Sequence, residues 1–319
     1  AQIAAAQENA AGFMVAWNQI HRWQYMGYKV DALTMTYVKP VTDRIPADPD
    51  DGLHGGGSVT RQLQQFYHRV YLSKLAWLGT QDYRVDVPDS DTQFFKDYME
   101  FLAPFDVKGT SFVVERNLDP HADDQVNIYS PTERRVRRFS AKERADSFMG
   151  SEGTLDDFEG FSGRVLDYQW RYLGERRVLY VADTKQKISQ GFGPYSRVPQ
   201  DRWQIRNCYV VELKSVWDGH PYAARVLFID KQTHAIAYSM IIDYEDRVWK
   251  TLHTLMRGPL DPRDPEFEQS VASWRGSFII DLNSNNSTIV RAMSDTIHPG
   301  LKPSQIKRVF SVSNLASGR

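Results

Sequence analysis

Period-two alternation runs through most of the chain. In VLDYQWRYLG (165–174), Leu166, Tyr168, Trp170 and Tyr172 fall on one face and Asp167, Gln169 and Arg171 on the other, the pattern of a half-buried strand. The same alternation groups Trp203, Ile205, Tyr209, Val211 and Leu213, then Tyr222, Val226 and Phe228, then Ile236, Tyr238, Met240 and Ile242. Three adjacent strands sharing one apolar face are predicted. The short connections WDGHPY and DKQTH favour antiparallel hairpins over crossovers. Further strands are predicted at 28–38, 59–78, 108–118, 246–256 and 274–283, about ten in all.

Two segments follow the helical period instead. Residues 1–27 are rich in helix formers and end at Gly27, with Trp17, Ile20 and Tyr25 available to cover something apolar. DTQFFKDYMEFLAPF (91–105) places Phe94, Phe95, Tyr98 and Phe101 at helical spacing, with Asp91 as a cap and Pro104 as a stop. Glycine, proline and aspartate cluster in loops at 42–58, 189–200 and 257–266. None of these reads as an interdomain linker and no repeat is present. A single domain over 1–319 is therefore expected, with an N-terminal helical segment (1–27), a sheet with inserted helices (28–285) and a C-terminal extension (286–319). In-facing aromatics on this scale must be covered, by curling of the sheet or by helices laid across it. The class is mainly β with covering helices (α+β), and alternation alone leaves open whether the apolar face is filled core or pocket.

Charge and chemistry narrow the function by exclusion. A net charge of -1 gives the chain as a whole no electrostatic footprint for nucleic acid. The lone Cys208 excludes an intrachain disulfide and a zinc site of paired thiolates. No stretch is apolar for long enough to span a bilayer. The chain begins at Ala1 without a signal-peptide pattern, which reads as a trimmed or mature chain. HGGGS (54–58) resembles an oxyanion loop but no G-x-S-x-G accompanies it, so a flexible turn is the better reading. The histidines are scattered, DPDDG and DLNSNN are incomplete calcium loops, and GFGPYS lacks the dinucleotide pattern. No catalytic constellation, metal site or cofactor is expected.

The remaining signal is SPTERRVRRFSAKERADSFMGSEGTLDDFEGF (130–161). QVNIYSP and ERRVRRFS read as strand, Ser-Pro turn and strand, and Thr154 with Asp157 reads as a cap for a short helix. Tyr129, Pro131, the run Arg134, Arg135, Val136, Arg137, Arg138, the stretch from Asp146 and Ser147 to Ser151, and Asp156 and Asp157 followed by Gly160 together resemble a signature of LolA/LolB-like envelope proteins. These are the outer-membrane lipoprotein-sorting proteins and a related family of unknown function associated with exporters. The resemblance extends loosely over residues 60–285.

What the resemblance implies is a strongly curved antiparallel sheet forming an unclosed barrel, with helices lidding an apolar cavity. It implies a periplasmic carrier of a lipid, sterol-like molecule or lipoprotein acyl chain, working with an inner-membrane exporter of the resistance-nodulation-division type. An envelope regulator that senses lipid or protein partners is the second reading, and a lipid- or sugar-acting hydrolase the third. The candidate lining residues are Phe112, Leu166, Tyr168, Trp170, Tyr209, Phe228, Tyr238 and Phe278, with Trp17 and Phe95 from lid helices and Phe148 and Met149 at the mouth. For Arg134, Arg135, Arg137 and Arg138 the favoured role is pinning the following loop through Asp146, Asp156 or Asp157. Docking to an acidic exporter or to lipid headgroups is the alternative.

Overall fold

A computed structural model of the chain describes residue 3 and residues 7–22, 24–40, 52–75, 84–140, 142–258, 272–298 and 301–315. Most of the loops expected at 42–58 and 257–266, and the end of the strand expected at 59–78, lie outside the described residues.

The N-terminal helix former run folds as α1 (Glu8–Ile20), which buries Ala11, Gly12, Val15, Ala16 and Gln19 as one stripe. It closes well before the predicted stop, where the His21 N–H donates to the Trp17 carbonyl at 3.0 Å. Gly27 opens a strand instead of ending the helix. The strands are β1 (Gly27–Lys39), β2 (Ser58–Tyr71), β3 (Gln93–Ala103), β4 (Ser111–Asn117), β5 (Gln125–Ser130), β6 (Arg135–Phe139), β7 (Tyr168–Tyr180), β8 (Gly191–Phe192), β9 (Val198–Pro199), β10 (Gln204–Ser215), β11 (Ala224–Asp230), β12 (Ile236–Ile242), β13 (Val248–Arg257), β14 (Ser273–Asp281) and β15 (Ser287–His298). Two short helices follow, α2 (Pro303–Val309) and α3 (Val312–Leu315).

Thirteen of the strands form one hydrogen-bonded sheet in the order β6-β5-β4-β3-β2-β1-β15-β14-β13-β12-β11-β10-β7. The pairs from β2 to β6 and from β15 to β7 are antiparallel. Since β6 and β7 stand at opposite ends of this order, the sheet is unclosed. β15 falls in the stretch expected to be an extension, yet it is an interior strand of the sheet.

The chain divides into two compact units, one of Ala1–Arg22, Thr36–Arg61 and Ala145–Arg291, the other of Trp23–Met35, Gln62–Arg144 and Ala292–Arg319. In the first, both faces of the strands are covered. One face packs Val15 and Ala16 of α1 and Phe161 against Trp170, Val211 and Leu227. The other packs Val38, Leu53 and Val181 against Leu255, Phe278 and Ile289. The HGGGS stretch serves as a turn on this second side: Gly55 N–H donates to Ser196 Oγ at 2.9 Å. A Cβ on Gly55 would lie 1.8 Å from the Gly193 carbonyl oxygen, so only glycine fits.

In the second unit the helix expected at 91–105 is the strand β3. Its residues 94–99 are all buried, which hides the period-two signal and leaves the helical spacing of its aromatics as the visible one. The charged residues among them are neutralised: Arg69 forks onto Asp97 at 2.6 and 2.7 Å, and Lys96 Nζ meets Asp89 at 2.7 Å and Glu115 at 2.9 Å. On the face of His68 and Tyr98, opposite Arg69 and Asp97, the Phe310 ring that follows α2 lies 4.9 Å from that of His68.

Candidate functional site

The candidate lining residues fall into three settings. Tyr168, Trp170 and Tyr209 lie on the α1 side of the first unit, and Leu166 is in the 3-10 turn Val165–Asp167 that precedes β7. Tyr168 and Trp170 are buried in the cluster, Tyr209 packs against it, and Leu166 is half-buried. Trp17 is on α1 but only partly covered, stacked on Phe13 at 5.8 Å. Phe228, Tyr238 and Phe278 lie on the opposite face. Val211 pairs with Leu227, so Phe228 points the other way, opposite Tyr238; Tyr238 pairs with His253 and His253 with Phe278. The alternation placed Phe228 and Tyr238 on the face of Trp170. It misassigned them because β11 carries apolar residues on both faces, Val226 and Phe228 against Leu227 and Ile229. Phe95 and Phe112 belong to the second unit. Phe95 is a strand residue and not a lid residue, packed under the guanidiniums of Arg69 at 4.2 Å and Arg116 at 5.1 Å. Phe112 meets Phe101 at 6.1 Å.

The α1 setting contains a groove of about 400 Å³ lined by Asn9, Phe13, Tyr168, Gln169, Trp170, Arg171, Glu212 and Lys214. Asn9 and Phe13 line it from α1, and Gln169, Arg171, Glu212 and Lys214 stand on the face of β7 and β10 opposite the Trp170 and Leu213 side chains. Close approach of α1 to β7 comes from Gly12, where a Cβ would sit 2.9 Å from the Arg171 backbone nitrogen. Phe161 stands edge-on to Tyr168 at 5.3 Å and to Trp170 at 5.5 Å, an arrangement aromatic pairs favour. The Trp170 Nε1–H donates to the Val165 carbonyl at 2.8 Å. Arg171 forks onto Glu212 at 3.2 and 3.0 Å, and that carboxylate raises the guanidinium's pKa.

Next to Tyr168 lies the Asp156–Asp157 loop. The Thr154 N–H donates to Asp157 Oδ2 at 2.8 Å, the reach-back expected of a cap. Asp157 Oδ1 also accepts from Arg225 Nη2 at 2.5 Å, and its Oδ2 accepts from Tyr222 Oη at 3.0 Å. Both ion-pair partners are almost fully buried, at 4% and 2% side-chain exposure. Burial alone would depress the Arg225 pKa, but Asp157 together with Tyr222, Tyr168 and Asp156 outweighs it and the net shift is upward. Tyr168 Oη donates to Asp156 Oδ2 at 3.3 Å. Lys250, whose Nζ donates to the Glu152 carbonyl at 2.8 Å, has its pKa lowered by burial despite the nearby Asp157, Glu152 and Asp281.

The arginine run does not take the role favoured from sequence. Arg134, Arg135, Arg137 and Arg138 are exposed on the β5–β6 hairpin. The ion pairs there are local: Arg135 Nε meets Glu133 at 2.8 Å and Arg137 Nη1 at 3.7 Å. Asp157 takes Arg225 instead, and Asp146 is exposed. Ser147 Oγ donates to the Ser151 carbonyl at 2.7 Å. Phe148 and Met149 sit half-buried in a 3-10 turn, with Met149 at φ 55° and its carbonyl accepting from Tyr37 Oη at 2.9 Å. Arg225 and the groove residues Asn9, Phe13, Arg171, Glu212 and Lys214 were not singled out by pattern reading. A signal for Arg225 was present: in AARVLFID it shares a face with Leu227 and Ile229, and a charge in such a position needs a buried partner.

On the opposite face, His253 packs edge-on to Tyr238 at 4.7 Å and Trp203 at 6.4 Å. Burial lowers its pKa from 6.5 to about 4. The neutral ring therefore favours folding fully above pH 6.5, and that contribution is lost as pH falls towards 4, where the unfolded chain takes up a proton that the fold refuses. Urea denaturation at pH 7 and pH 4.5 is expected to show a loss of stability about 2 kcal/mol larger in the wild type than in His253→Phe. Equal losses in the two proteins would contradict it. Burial lowers the pKa values of His220 and His234 as well, so the variant retains part of the acid sensitivity.

Among the described residues no group of three or more His, Cys, Asp or Glu side chains is placed to hold a metal, and no helix is long and apolar enough to cross a membrane.

A mostly antiparallel, unclosed sheet with few helices is an arrangement that the first two of the following solved structures share across nearly the whole chain. A domain classed with outer membrane lipoprotein-sorting proteins, from Vibrio parahaemolyticus, superposes with a TM-score of 0.63 at 15% identity, covering 97% of this chain and 99% of that one. A DUF1329 family protein from Desulfovibrio piger gives 0.63 at 17% identity, covering 97% and 100%. A LolA superfamily protein from Nitrosomonas europaea gives 0.47 at 12% identity, covering 94% and 97%. These are likenesses of fold. Residues 8–316 match the family of proteins of unknown function DUF1329, and the chain belongs to that family. No curated protein matches it. The resemblance read from Tyr129 to Gly160 therefore holds.

Proposed function

We propose that the protein, acting as one LolA-like domain, is a periplasmic carrier of a hydrophobic molecule. The cargo would be a lipid, a sterol-like molecule or a lipoprotein acyl chain, passed to or from an inner-membrane exporter of the resistance-nodulation-division type. The observation that carries this reading is the groove of about 400 Å³ between α1 and β7, lined by Phe13, Tyr168 and Trp170 together with Arg171, Glu212 and Lys214. Its size is that of a small-molecule site. A lining that mixes aromatic and charged residues suits an amphipathic ligand whose apolar part is shielded and whose polar end stays in water. Each 100 Å² of apolar ligand surface removed from water contributes about 2.5 kcal/mol, and ordering costs reduce that sum. A carrier needs no catalytic group, only surface that tolerates exposure when empty.

The reading is tested by native mass spectrometry of protein purified from a bacterial envelope, followed by organic extraction. The expected result is a stoichiometric hydrophobic molecule that is depleted in Phe13→Ala, a variant that trims the groove wall. An empty protein with no measurable affinity for phospholipids, fatty acids or sterols would overturn it.

A further inference from the structure

β6 is the terminal strand of the sheet order. It pairs with β5 along Arg135–Phe139, and among the described residues no strand occupies its other side. Arg135, Val136, Arg137 and Arg138 are all exposed. An edge of this kind presents unsatisfied backbone donors and acceptors in a row, and proteins usually blunt it with a charge or two. Here four arginines crowd the strand and its turn, against the single acid Glu133 on the hairpin. The two that pair with Glu133 keep 65% and 55% of their side chains exposed, so those pairs consume little of the charge. Crowding like charges is unfavourable for the isolated chain. It also departs from a molecule whose net charge is only -1.

The turn adds to this arrangement. Arg134 is held at φ 52°, a left-handed conformation that costs a non-glycine residue energy, and its N–H donates to the Ser130 carbonyl at 2.8 Å. The guanidiniums thus stand along an open strand edge, alternating across its two faces at strand spacing.

We propose that the outer edge of β6 is a docking edge for an acidic, extended segment of a partner protein, which adds as a further strand. Main-chain hydrogen bonds along the edge supply affinity. Carboxylates on alternate residues of the segment meet the arginine forks, which match carboxylate geometry bidentately. A bilayer surface fits this edge less well, because the hairpin offers only Val136 at 38% exposure as an apolar insertion point. The docking edge lies in the second unit and is independent of what the groove carries.

The test uses the full chain and a fluorescein-labelled peptide of alternating glutamate and threonine, with a lysine-for-glutamate peptide and phosphatidylserine-containing vesicles as comparisons. Fluorescence anisotropy is expected to show binding of the acidic peptide that weakens as salt is raised. The peptide is expected to slow amide exchange at residues 135–139. Arg135→Glu with Arg137→Glu should weaken binding by about tenfold or more while leaving the thermal midpoint unchanged, since both side chains are exposed. Lack of binding, binding indifferent to the charge reversal, or protection elsewhere but not on β6 would overturn the proposal. So would charge-dependent binding of the vesicles without binding of the peptide, which would make this a membrane-facing patch.

Discussion

Asp157→Ala is expected to destabilise the first unit by about 3–5 kcal/mol, the range for removing one partner of a buried ion pair. Arg225 would keep its hydrogen bonds to the carbonyls of Gly160 at 3.1 Å and Asp156 at 3.4 Å and its place over the Phe161 and Tyr222 rings. Its charge would then have lost its paired carboxylate in a buried setting with little water, with only the more distant Asp156 carboxylate left to act on it. Tyr222 Oη and the Thr154 N–H would lose an acceptor at the same time, so the 154–162 loop should loosen first. Paired replacement by apolar residues of similar size, Asp157→Leu with Arg225→Met, should recover much of the loss, because desolvation of two charges largely cancels the attraction between them. Urea denaturation gives the free energies, and amide exchange over 154–162 locates the opening. A loss below about 1 kcal/mol in Asp157→Ala would mean that the pair is not closed in solution.

That pair also marks where pattern reading succeeds and fails. The capping relation of Thr154 and Asp157 is local, three residues apart, and was legible. The partner of Asp157 is not local: Arg225 is 68 residues away in sequence, and the nearby Arg134 to Arg138 run was the more visible candidate. β7 was read correctly because the alternation of Tyr168 and Trp170 with Gln169 and Arg171 survives. In the β10 stretch Tyr209, Val211 and Leu213 share the α1 side, but Trp203 packs in the opposite cluster and Ile205 is exposed. Strands buried on both faces lose that alternation. β3 was therefore read as a helix and Phe228 assigned to the wrong side of β11. The groove was half legible: its lining residues Tyr168 and Trp170 follow from strand pattern. Its wall depends on Gly12 bringing α1 down onto the β7 backbone, and a glycine inside a helical run says nothing by itself about what it will approach.

Trp170 joins core to groove, and Trp170→Ala is expected to cost about 3–5 kcal/mol. The indole is 5% exposed, stacks edge-on with Phe161, and its Nε1–H holds the Val165 carbonyl, so truncation leaves both a void and an orphaned acceptor. Trp170→Phe keeps most of the apolar surface and loses chiefly the hydrogen bond, for about 1–2 kcal/mol. The two variants separate the structural role from the proposed ligand role. A ligand bound only by the native state stabilises it by about 2.7 kcal/mol when present at a hundred times its Kd. A fluorescent fatty acid titrated against thermal unfolding should therefore raise the midpoint of the wild type and of Trp170→Phe by similar amounts. The rise should shrink in Trp170→Ala, and also in Phe13→Ala, which lies on α1. If the rise in Trp170→Ala equals that of the wild type, the indole is core alone and the lipid lies somewhere other than the groove between α1 and β7. If it shrinks in Trp170→Ala and Phe13→Ala together, strand and helix act on one ligand, and α1 is the element that a carrier would have to lift to release it.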